Sequence, residues 1–118
     1  MSLGPGKHLL FVYGSLKRGF SNHRQISHAA FVGECQTERR YRLLVFGAYP
    51  ALAADGECEI DGELFLVDEP TLADLDEFEG EAYRRGSVSL ADGRTAQTYF
   101  LVPGLLGRAV PAPQNRWL

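Results

Sequence analysis

"HLLFVYGSLKRGFSNH", residues 8–23, is the stretch that decides the fold. Leu9 to Tyr13 is a continuous apolar run without polar alternation. That pattern predicts a strand buried on both faces, and therefore central in its sheet. The run stops abruptly at Tyr13-Gly14-Ser15-Leu16, and two cations follow, Lys17 and Arg18. Gly14 to Gly19 reads as a loop. A strand that leaves the core through an aromatic hydroxyl, a glycine and a serine admits three kinds of chemistry, besides an ordinary strand-end loop.

The first is a serine nucleophile. A hydrolase elbow needs glycines two residues before and two residues after the serine. Around Ser15 those positions hold Tyr13 and Lys17, and the three histidines offer no clear partner. The second is a phosphate cradle, but the loop has neither several glycines nor a G-K-[ST] triplet. The third is a backbone nest. Gly14 would let the chain turn so that successive N–H groups point one way, which suits a carboxylate or a developing oxyanion.

Working outward, Ser21 predicts the cap of a short helix from Asn22 to Ala29. Ala30 to Phe46 predicts one long bent strand or two shorter ones, with a bulge at Gly33. Gly47 to Pro50 reads as an irregular loop, because Pro50 blocks ladder pairing and restricts Tyr49. Asp55-Gly56 signals a turn, and Cys58 to Val67 a strand kinked near Asp61-Gly62. Tyr83–Leu90 and Thr95–Val102 flank Asp92-Gly93 as a hairpin. The tail after Pro103 ends in Trp117-Leu118, with the tryptophan expected to pack down. About six strands mostly follow one another. The expectation is an α+β fold, a small single domain over residues 8–118 with a largely antiparallel, barrel-like sheet and one or two short helices.

The clearest helix is "EPTLADLDEFEG", residues 69–80, with Pro70 in its first turn and Gly80 at its stop. Leu72, Leu75 and Phe78 recur at a spacing of three and form its apolar stripe. Glu79 is four after Leu75 and seven after Leu72, so it falls inside that stripe. Asp74, Glu77 and Glu81 project elsewhere, and Asp76 sits at the stripe's edge. Burial disfavours an ionised carboxyl and raises its pKa. The negative end of the helix dipole pushes the same way, by a few tenths to about 1 kcal/mol. A carboxyl tuned towards neutrality suits a general acid/base. The other reading is that the helix frays at Gly80 and Glu79 reaches water.

Composition removes several function classes. The 118 residues make one ordinary domain, 45% hydrophobic and 23% charged. A net charge of -3 argues against nucleic-acid and anionic-membrane partners. No apolar stretch approaches the roughly 20 residues of a membrane span. "MSLGPGK", residues 1–7, lacks an apolar signal core and reads as a flexible leader. Cys35 and Cys58 form no CxxC pair, which suits a reducing cytoplasm. His23 and His28 match no zinc spacing, so no metal is expected. "ERRYR", residues 38–42, reads as a solvated strand face.

The ordered set "FVYGSLKRG", "NH", "GAYPAL", and "LDEFEG" followed by "YRR" resembles the gamma-glutamylcyclotransferase-like superfamily, in particular its gamma-glutamylamine cyclotransferase branch. The likeness runs from Leu9 to Val102 and loosely on to "RWL". Y-G-[ST]-L alone is a modest match, but its combination with G-x-Y-P and L-D-x-x-E in this order is specific. The resemblance implies a small α+β domain with a mixed barrel-like sheet and no cofactor. It implies a small-molecule substrate, a glutamate joined through its γ-carboxyl to an amine, which is cyclised to 5-oxoproline with release of the amine. Tyr13, Gly14, Ser15 and Leu16 match the family's substrate-binding loop, and Glu79 matches its catalytic acid/base. Gly47, Tyr49 and Pro50 match a second loop that walls the pocket, and Tyr83 would bring a hydroxyl near Glu79. For Tyr49 and Tyr83, core packing with a satisfied hydroxyl is the alternative. Some members lack the glutamate; this chain keeps it. The competing function is a non-catalytic module binding a small carboxylate or a peptide terminus in the same pocket. The sequence is silent on oligomeric state.

Overall fold

The leading apolar run becomes strand β1 (Lys7–Val12). In this computed structural model, which describes residues 6–117, β1 is the middle strand of a five-stranded sheet. Residues 1–5 of the expected leader lie outside the described residues, and Lys7 already belongs to the strand. Along the chain follow β2 (Ala30–Gln36), β3 (Tyr41–Phe46), β4 (Tyr49–Cys58), β5 (Asp61–Asp68), helix α1 (Glu69–Glu79), β6 (Tyr83–Ser89), β7 (Thr95–Leu101) and β8 (Val110–Pro111). The larger sheet runs β2-β5-β1-β7-β6, and a smaller one runs β4-β3-β8. β1 pairs antiparallel with β5 from Lys7↔Asp68 to Val12↔Glu63, and parallel with β7 at Leu10↔Gln97. The architecture is thus a small α+β domain whose mixed, mostly antiparallel sheets wrap into a barrel-like form. Among the described residues no helix is long and apolar enough to cross a membrane.

Alternation along β1 explains its composition. Phe11, with Tyr13 just beyond the strand, faces a core shared with the smaller sheet, among Leu43, Leu52, Leu64 and Val88. Leu10 and Val12 face the other way, towards Phe65, Val67, Tyr99 and the α1 residues Leu72 and Leu75. Successive strand residues point to opposite sides, so a strand with both faces covered must be apolar throughout.

Helix α1 starts where expected. Asp68 caps it, accepting from the Thr71 backbone N–H at 2.9 Å and from the Thr71 hydroxyl at 2.6 Å. Gly80 closes it with φ 73°, a left-handed value natural to glycine. The predicted stripe holds only in part. Leu72 and Leu75 are buried, but Phe78 is 43% exposed and lines a cavity instead of the core.

Several expectations are corrected. The helix from Asn22 to Ala29 is a single 3-10 turn, His23–Gln25, and Ser21 does not cap it. Only Ile26 in that stretch is buried, so no apolar stripe supports a longer helix. Gly47 to Pro50 is not an irregular loop. Gly47 (φ 63°) and Ala48 form a two-residue hairpin turn closed by Phe46↔Tyr49, and Pro50 lies within β4 opposite Val45. Antiparallel pairs alternate, so the pair next to the closing one, Val45↔Pro50, is not hydrogen-bonded and proline's missing N–H costs nothing there. Asp55-Gly56 is a bulged stretch inside β4 rather than a turn. The tail adds β8, and Trp117 is half-buried against the core. The Gly33 bulge and the break before Asp61 appear as expected.

Gly62 faces the ring of Phe11, and a Cβ there would lie 2.5 Å from that ring and 2.6 Å from the Val12 carbonyl oxygen. At Gly33 nothing lies within 4 Å. Gly62→Ala is therefore expected to destabilise the fold by about 1–3 kcal/mol, and Gly33→Ala by less than about 0.5 kcal/mol. Urea unfolding of both variants checks the contrast.

Candidate active site

β1 delivers the chain into a cavity of about 310 Å³. Its floor is Val12 and Tyr13, and one side is the turn Gly14-Ser15-Leu16. The start of β4 contributes Tyr49 and Pro50, the last turn of α1 contributes Phe78 and Glu79, and β6 and β7 contribute Tyr83 and Tyr99. Residues 13 and 79, far apart in the chain, thus open onto one space. Gly47 is not in the lining; it makes the hairpin turn that presents Tyr49 and Pro50.

The turn is closed by the Lys17 N–H donating to the Gly14 carbonyl at 3.0 Å. In a β-turn the two central N–H groups are left over. Those of Ser15 and Leu16 find no acceptor among the described residues. Asn22 and His23, just downstream, hold the loop in place. Asn22 donates from its side chain to Ser15 Oγ at 2.9 Å and from its backbone to the Ser15 carbonyl at 3.0 Å. His23 Nδ1 lies 2.9 Å from the Leu16 carbonyl. Gly14 is not in a left-handed conformation, so the turn itself does not require glycine. Glycine is needed because a Cβ there would run into the Pro50 ring.

The neighbouring cations do not face the cavity. Lys17 is buried and donates from Nζ to the Trp117 carbonyl at 2.8 Å. Arg18 donates from its backbone N–H to Glu63 at 2.9 Å, and its guanidinium lies over the Phe31 ring. A phosphate cradle built on these two residues has no basis in the geometry.

Glu79 ends α1 half-buried. Among the described residues its carboxyl accepts no hydrogen bond and joins no ion pair. Burial therefore goes uncompensated and raises its pKa from 4.5 to about 7. Burial, followed by the nearby Glu79 charge, also raises Tyr13 well above the usual phenol value. Tyr83 is pushed up to about 12, first by burial, then by Glu79 and Tyr49. Both phenols stand near the carboxyl, yet their protons go elsewhere. Tyr13 donates to the Tyr99 carbonyl at 2.7 Å, and Tyr83 to the Pro50 carbonyl at 2.8 Å. The latter bond explains the Pro50 position, because a carbonyl in a non-hydrogen-bonded pair points away from its partner strand. Tyr83 thus packs with a satisfied hydroxyl, whereas Tyr49 stands 57% exposed at the rim.

Sequence reasoning missed Asn22, Tyr99 and Asp76. Asn22 was visible only as the "NH" of the family pattern. Tyr99 donates to Asp76 Oδ1 at 2.6 Å across the wall of the cavity. Neither the strand period of one nor the helix period of the other announces that contact.

This cavity, at the end of the central strand, belongs to a recognisable class. The gamma-glutamyl cyclotransferase, AIG2-like family profile matches residues 10–118, and the chain belongs to that family. A protein of Vibrio cholerae described as a candidate gamma-glutamylcyclotransferase is 43% identical over 95 residues, 79% of this chain and 81% of that one. The gamma-glutamylaminecyclotransferase of Rattus norvegicus is 40% identical over 93 residues, covering 69% of this chain and 62% of its own. Among solved structures, a mouse AIG2-like protein aligns with a TM-score of 0.78 at 28% identity, over 95% of this chain and 88% of that chain. A uropathogenic E. coli-specific protein shares the fold, with a TM-score of 0.79 at 24% identity over 89% and 87% of the two chains.

The raised pKa of Glu79 has a consequence for stability. The folded state binds this proton more tightly than the unfolded chain. The resulting stabilisation is complete below pH 4.5 and is lost as pH rises through about 7. Glutamine cannot ionise and escapes that loss. Glu79→Gln is expected to be more stable than the parent at pH 8, by about 1–3 kcal/mol, with the difference closing near pH 4. Paired urea titrations at the two pH values measure it.

Proposed function

We propose that the chain is a gamma-glutamylamine cyclotransferase, with Glu79 as general acid/base and the Gly14–Leu16 turn as the holder of negative charge. The observation that carries this reading is one cavity with two unused capacities. On one side are the N–H groups of Ser15 and Leu16, and on the other the carboxyl of Glu79, none of them with a hydrogen-bond partner among the described residues. Family membership supports the reaction type, and the name of the rat relative supports an amine as the released half.

The chemistry uses each part once. The substrate's α-carboxylate or its developing oxyanion accepts from the turn N–H groups. Ionised Glu79 takes a proton from the glutamyl α-amine. The amine nitrogen attacks its own γ-carbonyl carbon and closes a five-membered ring. Glu79 returns the proton to the departing nitrogen as the old C–N bond breaks, which frees the amine and leaves 5-oxoproline. No water is consumed, and no enzyme nucleophile is required, because the nucleophile is tethered within the substrate. A carboxyl near pH 7 is partly ionised at neutrality and can serve in both directions. The unpaired thiols Cys35 and Cys58 support a reducing cytoplasm as the setting.

Incubation with γ-glutamyl-ε-lysine and a panel of γ-glutamyl amides should release 5-oxoproline, detected by mass spectrometry. kcat/KM should rise with pH through about 7 as Glu79 ionises. Glu79→Gln should lower kcat by about 10²–10⁴-fold. Ser15→Ala removes only a side-chain hydrogen bond and should cost less than about 10-fold. No product from any substrate, or full activity in Glu79→Gln, would overturn the proposal, and tight binding of 5-oxoproline without turnover would replace it with a binding module.

A further inference from the structure

The geometry points to Tyr99, locked by Asp76 and Arg85, as the positioning residue that holds the Glu79 turn of α1 in register with the Gly14–Leu16 turn. The inference rests on the function proposed above and adds residues to it.

The problem these residues solve is visible in the helix. The buried side chains of α1 are Thr71, Leu72 and Leu75, all in its first two turns. After Leu75 no side chain of the helix is fully buried, and Phe78 is exposed to 43%. Glu79 therefore sits on the segment least anchored by packing, at an end where helices ordinarily fray. An acid/base must stay within a fraction of an ångström of its working position.

Asp76 supplies the missing anchor, one turn before Glu79. Its Oδ1 accepts the Tyr99 hydroxyl at 2.6 Å. Arg85 grips the same carboxylate with two parallel bonds, Nε to Oδ1 at 2.9 Å and Nη2 to Oδ2 at 3.1 Å. The backbone of Asp76 caps the helix by accepting the Gly80 N–H at 3.2 Å. Arg85 and Tyr99 are direct cross-strand partners on β6 and β7, so both rise from one face of the sheet and meet the helix from below. The fork geometry fixes direction as well as distance.

Tyr99 also reaches the other half of the site. Its carbonyl accepts the Tyr13 hydroxyl at 2.7 Å, at the point where β1 passes into the Gly14 turn. One buried residue thus holds the strand end through its backbone and the helix end through its side chain. Tyr99 lines the cavity wall, yet its proton is committed to Asp76, so it acts through Glu79 and not on the substrate. The titratable groups facing Glu79 are Tyr13, Tyr83 and Tyr99, all with pKa values raised above the ordinary phenol value, chiefly by burial.

The test compares Tyr99→Phe, Asp76→Asn and Val88→Ala in the full chain. Val88 is buried in the core shared with the smaller sheet, does not line the cavity, and serves as a destabilised control. Two readouts are taken on each: kcat and KM for 5-oxoproline release from whichever γ-glutamyl amide the parent turns over, and the Glu79 carboxyl titration by carbon NMR. Tyr99→Phe is expected to lower kcat about 10- to 100-fold with KM within about twofold. Its Glu79 midpoint should fall from about 7 towards 4.5 as the loosened turn admits water. Asp76→Asn should move both readouts the same way by less, since an amide oxygen still accepts from Tyr99. Val88→Ala should lower the melting temperature and leave both unchanged. Unchanged kcat and midpoint in Tyr99→Phe, or equal kcat losses in Val88→Ala, would overturn the inference. If the parent releases no 5-oxoproline, the proposed function fails while the titration still decides the positioning role. If Tyr99→Phe does not fold, Asp76→Asn decides.

Discussion

Burial of β1 on both faces is the constraint on which the rest of the structure depends. Phe11 and Tyr13 need a second sheet above them, and Leu10 and Val12 need a helix below. Once both layers are in place, the chain leaving β1 emerges between them, at an edge where neither layer covers it completely. That gap is the cavity. The turn that makes it polar starts at Gly14, the position that tolerates the close approach of Pro50. Fold and site therefore share one cause, since the layers that bury the strand also wall the space beyond it.

The site carries a cost that the surrounding fold must offset. A carboxyl without a hydrogen bond or counter-charge among the described residues is placed where burial opposes its ionisation, and this is what brings it near neutrality. An arginine beside it would return the carboxyl towards its ordinary acidic range. Arg85, which reaches the same helix, is engaged with Asp76 one turn earlier. The two phenols closest to Glu79 are likewise committed to backbone carbonyls. The carboxyl is left alone by a ring of satisfied neighbours.

Much of this was legible along the chain because its signals are local. The apolar run of β1 and the core-side place of Glu79 come from strand and helix periods, and the last hairpin and the limits of α1 from Asp92-Gly93, Pro70 and Gly80. The misreadings have equally local causes. Pro50 looked like a strand breaker because its place in the alternation of the ladder depends on where the hairpin closes. Phe78 looked like core because its spacing is right, but it borders the cavity instead. Gly14 looked like a turn glycine, whereas its reason lies in a proline 36 positions away.

By itself, then, the sequence determined the class of fold, the central strand, the helix α1 and the last hairpin, and it singled out two candidate features, the turn after β1 and the acid at the end of α1. Family resemblance joined those halves by analogy with other chains. The tertiary structure decided whether they meet in this one, and what holds them there: Asn22 on the turn, Pro50 under Tyr83, and Tyr99 between Tyr13 and Asp76. Such contacts join residues 7 to 86 positions apart. They depend on sheet order and strand register, which no period in the sequence encodes.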